Sequence, residues 1–251
     1  MIKGDLTPVL EKAYDDVVHP VASTTGKIIG LIPKAIYTAL LPVRKWINDR
    51  EEYFEEMGTL LAKKLKNVKE ENIITPELYV AVPTIQALSY SLDNNELKNL
   101  YANLLARAMN IDTKEYVHPV FVEIIKQLSP IDALVFKEIA KRGSLPVIDL
   151  FYANEQYQGT IIAKNFTDVT VSTYEIESVS IDNLARLGLI EISNDTINDE
   201  ELYTNIINSI AYEQIKSEFK DVEVGFKFYN YKKTIYITDL GKNFHKICVE
   251  D

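Results

Sequence analysis

The residues best placed for chemistry lie on one predicted helix and at the start of the next: Asn103, Arg107, Asn110 and His118. Helical spacing puts the first three near one side of a helix predicted over residues 94–109, opposite part of its leucine face. The histidine precedes a proline and can cap the following helix. These side chains suit either a binding groove or a buried polar junction between helices. We favour the junction, because polar groups at helix crossings must find hydrogen-bond partners in any case.

No catalytic or metal-binding motif accompanies these residues. The sequence has no GxSxG elbow, HExxH, P-loop or GxGxxG. His245 and Cys248 lie three residues apart, but two ligands do not make a zinc site, which needs three or four. Runs of acidic residues, at 51–56 and 199–201, fit solvated helix and loop faces. We therefore expect a protein that binds rather than catalyses, with no metal and no cofactor.

Residues 17–47 form an apolar stretch with cationic edges and an aromatic end, namely Lys27, Lys34, Arg44, Lys45 and Trp46. That pattern suits contact with a membrane interface. A helix whose apolar side packs on the rest of the protein has the same pattern, and two glycines weaken a long interfacial helix. Both interpretations stay open. The longest apolar run is about 16 residues, whereas a spanning helix needs roughly 20, so we predict no transmembrane segment.

The charge of the chain is unevenly distributed. Its formal net charge of −10 divides into −1 over residues 1–143 and −9 over residues 144–251. Nucleic-acid binders usually carry the opposite sign, because neutralising phosphates supplies most of their affinity. The single cysteine cannot form an internal disulfide, and the sequence shows no signal peptide. We expect a cytoplasmic protein, peripheral at the inner face of the cell membrane if its N-terminal segment meets lipid.

Helix start and stop signals divide the first part of the chain. We predict helices over residues 49–67, over 76–91 with a cap at Thr75, over 94–109 with a capping box of Asp93 and Glu96, from His118 onward, and over 130–142 with a cap at Ser129 and an end at Gly143. Their connections are short. This arrangement is typical of a helical bundle, which we assign to residues 1–143.

Alternation of β-branched and aromatic residues replaces the helical period after Gly143. We predict strands over 168–176 and 189–193, helices over 181–187, 203–219 and 239–249, and a late hairpin of strands 222–228 and 234–238 around a turn at 231–233. This order is that of a winged helix, which we assign to residues 144–251. The fold class is therefore predicted as mainly α with a small α+β part, an N-terminal helical bundle followed by a winged-helix-like module.

A winged helix can read DNA or face a protein, and the sequence distinguishes the two through charge. A DNA-binding version would present Asn183 and Arg186 to the major groove, with lysines on the hairpin. The net charge of −9 over residues 144–251 argues against phosphate contact. A protein-facing module is thus the main hypothesis, and a DNA-binding regulator is the alternative.

Four stretches of the sequence resemble the abortive infection alpha (Abi-alpha) family, long described as a domain of unknown function: LSYSLDNNELKNLYANLLARAMN, VHPVFVEIIKQLSPIDALVFKEI, SIDNLARLGLIEI and ITDLGKNFHKIC. The resemblance implies an anti-phage protein, acting where an infected cell stops growing or dies before phage are released. It implies no assigned catalytic residues. The partner we expect is an unidentified host or phage protein, and the oligomeric state stays open.

Overall fold

A computed structural model of the protein describes residues 34–44, 51–91, 93–219 and 225–250. The chain divides into two compact units. The first comprises Met1–Lys126 with Ile247–Asp251, and the second comprises Gln127–Lys246. The helix that ends at Gly143 therefore groups with the sheet that follows it and not with the preceding helices.

The first unit is built from helices over an apolar core. The described helices are α1 (Lys34–Arg44), α2 (Glu51–Lys64), α3 (Leu78–Ser89), α4 (Asn95–Ala108) and α5 (Val120–Lys126), with single 3₁₀ turns at Glu70–Asn72 and Lys114–Tyr116. The predicted helical face of α4 is buried, with Leu104 and Leu105 fully inaccessible. Met57, Leu61 and Leu65 are likewise buried, as their helical spacing predicts.

Two predicted caps of the first unit are wrong, one by two residues and the other by one. Helix α3 begins at Leu78, after a Glu77 N-cap whose side chain makes no capping bond, and not at Thr75. Helix α4 is capped by Asn94, whose Oδ1 accepts a hydrogen bond from the Leu97 amide at 3.0 Å, and not by Asp93. Asp and Asn are both good caps, so at α4 the backbone conformation of the turn decides which of the two is used.

The second unit centres on a four-stranded antiparallel sheet of order β2-β1-β4-β3. Its described elements, in chain order, are α6 (Pro130–Arg142), β1 (Ser144–Ala153), β2 (Gly159–Phe166), α7 (Tyr174–Arg186), β3 (Ile190–Ser193), α8 (Glu200–Ile207), α9 (Ile210–Phe219), β4 (Lys227–Ile237) and α10 (Asp239–Phe244), after which a π-helical turn spans His245–Val249. The predicted cap of α6 at Ser129 is confirmed, and the structure shows it to be a capping box, because Ser129 and Asp132 each bond the other's backbone amide.

Alternation along β1 sends its side chains to two different environments. Ile148 and Leu150 join an apolar cluster with the side chains of α8 and α9, including Tyr203 and Tyr212. Asp149 lies between them in sequence and therefore projects to the other face of the sheet. Helix α7 packs against β2 and β3 and is linked to that other face through a polar network described below.

The predicted strand over 168–176 is wrong. Residues after β2 form a loop, and α7 begins at Tyr174 after the N-cap Thr173. The buried carboxylate of Glu177 holds this loop by accepting hydrogen bonds from the amides of Val171 and Ser172, at 2.6 and 2.7 Å. That local polar contact favours a loop and a helix start over the β-branched preference of the residues.

The predicted late hairpin is also wrong. Residues 227–237 form one uninterrupted strand, β4, which pairs with β1 along the whole of β1. The hairpin of this unit instead joins β1 to β2, two strands that were not predicted. Its turn requires Gly159, since a Cβ there would lie 2.1 Å from the carbonyl oxygen of Tyr152.

The protein is thus an α+β protein with helical and sheet-centred units. The finer arrangement of a bundle followed by a winged helix is not confirmed, because residues 227–237, predicted to include the turn of the wing, form a single strand.

Candidate functional site

Asn103 and Arg107 of α4 hold the C-terminal backbone of the chain. The Asn103 Nδ2 donates a hydrogen bond to the carbonyl of Cys248 at 3.0 Å, and this contact is buried. One turn later, the Arg107 guanidinium lies 3.5 Å from the carbonyl of Glu250, in an exposed position. These two predicted site residues are brought together, as a polar junction that fixes the end of the chain.

Asn110 and His118 each accept a hydrogen bond from a backbone amide two residues later in the chain. The Oδ1 of Asn110 accepts a hydrogen bond from the Asp112 amide at 3.0 Å, which shapes the turn after α4. The Nδ1 of His118 accepts one from the Val120 amide at 3.1 Å and so caps α5. Within the residues that the structure describes, no hydrogen bond joins His118 to Asn103 or Arg107.

The reactive groups close to this junction are buried and protonated at neutral pH. Burial raises the pKa of Tyr101 to about 12, and the nearby carboxylate of Glu123 adds to the effect. Burial also raises the pKa of the Cys248 thiol well above its usual value. A thiol in that state supplies little of the thiolate that nucleophilic chemistry needs.

The predicted membrane-facing residues fall largely outside the described part of the chain. Lys27, Lys45 and Trp46 lie outside it, and so does the side chain of Arg44. Lys34 is described and exposed at the start of α1. The apolar side chains of this helix that follow it, including Ile36 and Leu40, are buried in the first unit. For the described part of the segment, core packing therefore accounts for the amphipathic pattern.

Among the described helices, none is long and apolar enough to cross a membrane. An open groove of about 410 Å³ lies in the first unit, beside α1 and the 3₁₀ turn at residues 70–72. It is lined by one amine, one carboxylate, two hydroxyls and a few methyl-bearing side chains, among them Lys34, Thr38 and Glu70. The residues of the polar junction do not line it.

The second unit contains a buried charge network that was not predicted. The Lys233 ammonium of β4 lies 2.8 Å from Oδ1 of Asp149 on β1 and donates to Oδ1 of Asn165 on β2, also at 2.8 Å. Only 7% of the Lys233 side chain is exposed, and 11% of that of Asp149. The register pairs Lys233 with Val147, so Asp149 is its diagonal neighbour across the two strands.

A β-bulge completes the network. The register between β1 and β2 shifts at Asp149, and Asn165 adopts a positive φ of 54° there. The Asn165 amide consequently leaves the ladder and donates to Asp149 Oδ1 at 2.9 Å. Its side-chain amide donates to Oδ1 of Asp182 on α7, also at 2.9 Å. Every charged group here has a partner, so the network is suited to fixing three strands and a helix rather than to proton transfer.

A signal for this network was present in the sequence. Asp149 interrupts the apolar run of β1, and Lys233 precedes the apolar end of β4. A charge inside a buried strand predicts a buried partner of opposite sign. The partner itself could not be identified from the sequence, because it lies on a strand distant in the chain.

Five aromatic and apolar side chains near the β1–β2 hairpin are partly or largely exposed. We call them the aromatic face: Phe151, Tyr157, Ile161, Tyr229 and Tyr231. Phe151 stands opposite Ile161 of β2 and Tyr229 of β4, so the three project from one side of the sheet. Tyr231 follows two residues later along β4. Three of the five are substantially exposed, Tyr157 by 74%, Tyr231 by 50% and Ile161 by 49%.

The described residues contain no group of three or more His, Cys, Asp or Glu side chains arranged to hold a metal ion. Equally, all of the buried side-chain nitrogen and oxygen atoms in this part of the chain have hydrogen-bond partners. The buried polar groups of the described residues are thus used to build the fold, whereas the side chains of the aromatic face remain partly exposed to solvent.

Comparisons with known proteins bear on the family of the chain. Among curated proteins, nothing matches. Among solved structures, an uncharacterized protein from the hydrocarbon-degrading marine bacterium Alcanivorax borkumensis SK2 is similar over 52% of this chain and 93% of its own, at 11% identity and a TM-score of 0.36. So weak a likeness carries no argument. A family model described as abortive infection alpha matches residues 49–248. Because this match spans most of the sequence, the chain belongs to the abortive infection alpha family.

Proposed function

We propose that this protein is an anti-phage defence protein that acts in the cytoplasm by binding a partner protein, and not by catalysis. The family suggests the role in abortive infection. The observation that supports binding is that polar side chains are hydrogen-bonded within the protein, whereas aromatic side chains are exposed at its surface. Asn103 donates a hydrogen bond to the C-terminal backbone, and the buried Lys233 ammonium donates one to Asn165. Tyr157 and Tyr231, in contrast, are exposed to solvent.

Partner binding fits what the exposed side chains offer. Tyrosine supplies a large contact area at low cost in side-chain entropy, and tyrosines are enriched in the residues that dominate protein interfaces. A catalytic role would instead require a polar group directed at a substrate, with its pKa matched to proton transfer. His118, the only described histidine of the predicted site, has its Nδ1 engaged in capping α5.

A phage challenge tests the defensive role. Bacteria that express the chain from an inducible promoter are infected at low and at high multiplicity, and growth and released phage are followed. We expect the culture to survive at low multiplicity, and at high multiplicity to stop growing or collapse while releasing few phage. Plating equal to that of the empty vector, or normal growth at high multiplicity, would contradict an abortive mechanism.

Membrane contact is a further element of the proposal and concerns residues 1–33 rather than α1. The buried apolar side of α1 supports this division, because Ile36 and Leu40 are already packed in the first unit. Co-sedimentation with anionic lipid vesicles, together with dye leakage, compares the full chain with one that lacks residues 1–33 and retains α1. Binding that is lost on truncation supports membrane contact, provided that the truncated chain unfolds at the same temperature. No sedimentation of either chain removes membrane contact from the proposal.

A further inference from the structure

We propose that the aromatic face binds an arginine-rich segment of the partner protein. The inference rests on the proposed function and deepens it by naming the chemistry of the partner. Its first support is geometry, since cross-strand pairing aligns Phe151, Ile161 and Tyr229 on one side of the sheet. Tyr231 extends this row along β4, and the row remains partly open to solvent.

The second support is the conformation of Tyr157. Its φ is 57°, in the left-handed region that non-glycine residues seldom occupy. The side chain of Asn154 stabilises this turn, because its Oδ1 accepts hydrogen bonds from the amides of Gln156 and Gln158, at 3.0 and 2.9 Å. The Tyr157 ring lies against that of Tyr229, tilted by 51°, with ring centroids 4.9 Å apart. The turn thus holds an aromatic ring at the surface at some cost in backbone strain.

The third support is charge. Residues 144–251 carry nine Lys and Arg against eighteen Asp and Glu. The cations of the sheet strands nearest the face are paired with carboxylates, Lys227 with Glu155 at 3.2 Å and Lys164 with Asp182 at 3.9 Å. These local pairs are neutral, so the negative charge that attracts a cationic partner and repels phosphates is the net charge of −9 over residues 144–251.

Arginine suits the aromatic face better than other ligands do. A guanidinium is planar, weakly hydrated and able to stack on tyrosine rings, whereas a lysine ammonium acts mainly as a point charge. A single-stranded nucleic acid would also stack on exposed aromatic rings, but its affinity depends on cations that this surface does not have in excess. The occupant that satisfies both the rings and the charge is an arginine-bearing protein segment.

The test uses the full purified chain and four proteins: wild type, Tyr157→Asn with Tyr231→Thr, Tyr157→Phe, and Tyr79→Ala with Tyr90→Ala. Asparagine tolerates the positive φ and threonine suits a strand, so the first double variant should remain folded. The phenylalanine variant keeps the ring. Tyr79 and Tyr90 are exposed tyrosines of the first unit, and their variant is the matched control for loss of two rings.

The probes are labelled peptides of alternating arginine and glycine or of lysine and glycine, and a single-stranded oligonucleotide, followed by fluorescence anisotropy at physiological salt. We expect the arginine peptide to bind wild type, the phenylalanine variant and the control alike, and to bind the aromatic-face variant about tenfold more weakly. The lysine peptide should bind more weakly than the arginine peptide.

Three results would overturn the inference. They are no binding of the arginine peptide to wild type, equal binding to the aromatic-face variant, and oligonucleotide binding that depends on Tyr157 and Tyr231. Thermal unfolding confirms that each variant is folded. Because the peptide assay requires no phage, a chain that restricts phage and ignores the peptide would refute this inference alone and leave the proposed function standing.

Discussion

The side-chain amide of Asn103 donates a hydrogen bond to the backbone carbonyl of Cys248, which lies 145 residues later in the chain. This buried contact joins the most recognisable stretch of the sequence to its C-terminal end. It explains why a polar residue stands among the leucines of α4. Of the two interpretations left open for this position, a groove and a polar junction, the contact with Cys248 fits the junction that we favoured.

Replacing Asn103 with alanine should lower the free energy of unfolding by about 1–3 kcal/mol, because the buried carbonyl of Cys248 loses its partner. Urea denaturation measures this change. Arg107→Ala is the matched control one turn away, since its bond is long and exposed. It should cost under about 0.5 kcal/mol. Equal effects of the two substitutions would show that the Asn103 contact is not a special feature of the fold.

Neighbouring lysines of β4 should differ sharply in their contributions to stability. Lys233→Met leaves Asp149 charged and buried, which typically costs about 3–5 kcal/mol. Lys232→Met removes an ion pair with Glu200 whose carboxylate is 79% exposed, and should cost under about 1 kcal/mol. Chemical denaturation of both variants measures the difference.

A third variant isolates the charge of Asp149. Combining Lys233→Met with Asp149→Asn removes both charges and keeps an acceptor for the Asn165 amide. The double variant should therefore be more stable than Lys233→Met alone. A double variant that is less stable would mean that the ion pair is not what Lys233 contributes.

Glu177 should make stability depend on pH in the acidic range. Burial raises the pKa of its carboxyl, although the hydrogen bonds from Ser172 and Val171 partly oppose the shift. The folded state therefore holds the proton more tightly than the unfolded state, whose pKa is about 4.3. The stabilisation that this provides is present below that value and is lost as pH rises through the folded pKa.

The variant Glu177→Gln keeps an oxygen for both amides and removes the titration. Its stability relative to wild type should consequently increase as pH rises above about 4. Urea unfolding at several pH values measures the difference. A relative stability that falls with rising pH would contradict the stated direction of the pKa shift.

Gly241 should tolerate no side chain. A Cβ at this position of α10 would lie 2.0 Å from the carbonyl oxygen of Leu189, so the backbone would have to move. Gly241→Ala should cost about 3 kcal/mol or more. Gly143→Ala is the contrast, since nothing lies within 4 Å and only the φ of +74° is strained. It should cost roughly 1–2 kcal/mol, and thermal unfolding ranks the two variants.

The helices could be predicted wherever local signals determined them. The leucine period of α4 and the cap at Ser129 predicted those elements correctly, because both depend on residues within a turn or two of each other. The sheet was less predictable. Tyr231 and the two lysines after it look like a turn, yet they lie in a strand that pairs with β1, where Lys233 contacts Asp149.

The candidate site could likewise be predicted only where it depends on residues that are close in sequence. The sequence placed Asn103 and Arg107 on one side of a helix, and the structure brings them to a common segment. The aromatic face was not foreseen, since it requires the pairing of three strands, two of which were not predicted. Its residues become a surface only when long-range register places Phe151 between Ile161 and Tyr229.

The phage challenge with two variants tests most directly the claim that defence operates by binding. His118→Asn keeps an acceptor for capping α5 but cannot serve as an acid or base near neutral pH. We predict phage plating equal to that of the wild-type chain for this variant. For Tyr157→Asn with Tyr231→Thr, we predict at least about tenfold weaker restriction. Loss of restriction in a folded His118→Asn protein, with full restriction by the aromatic-face variant, would contradict the account.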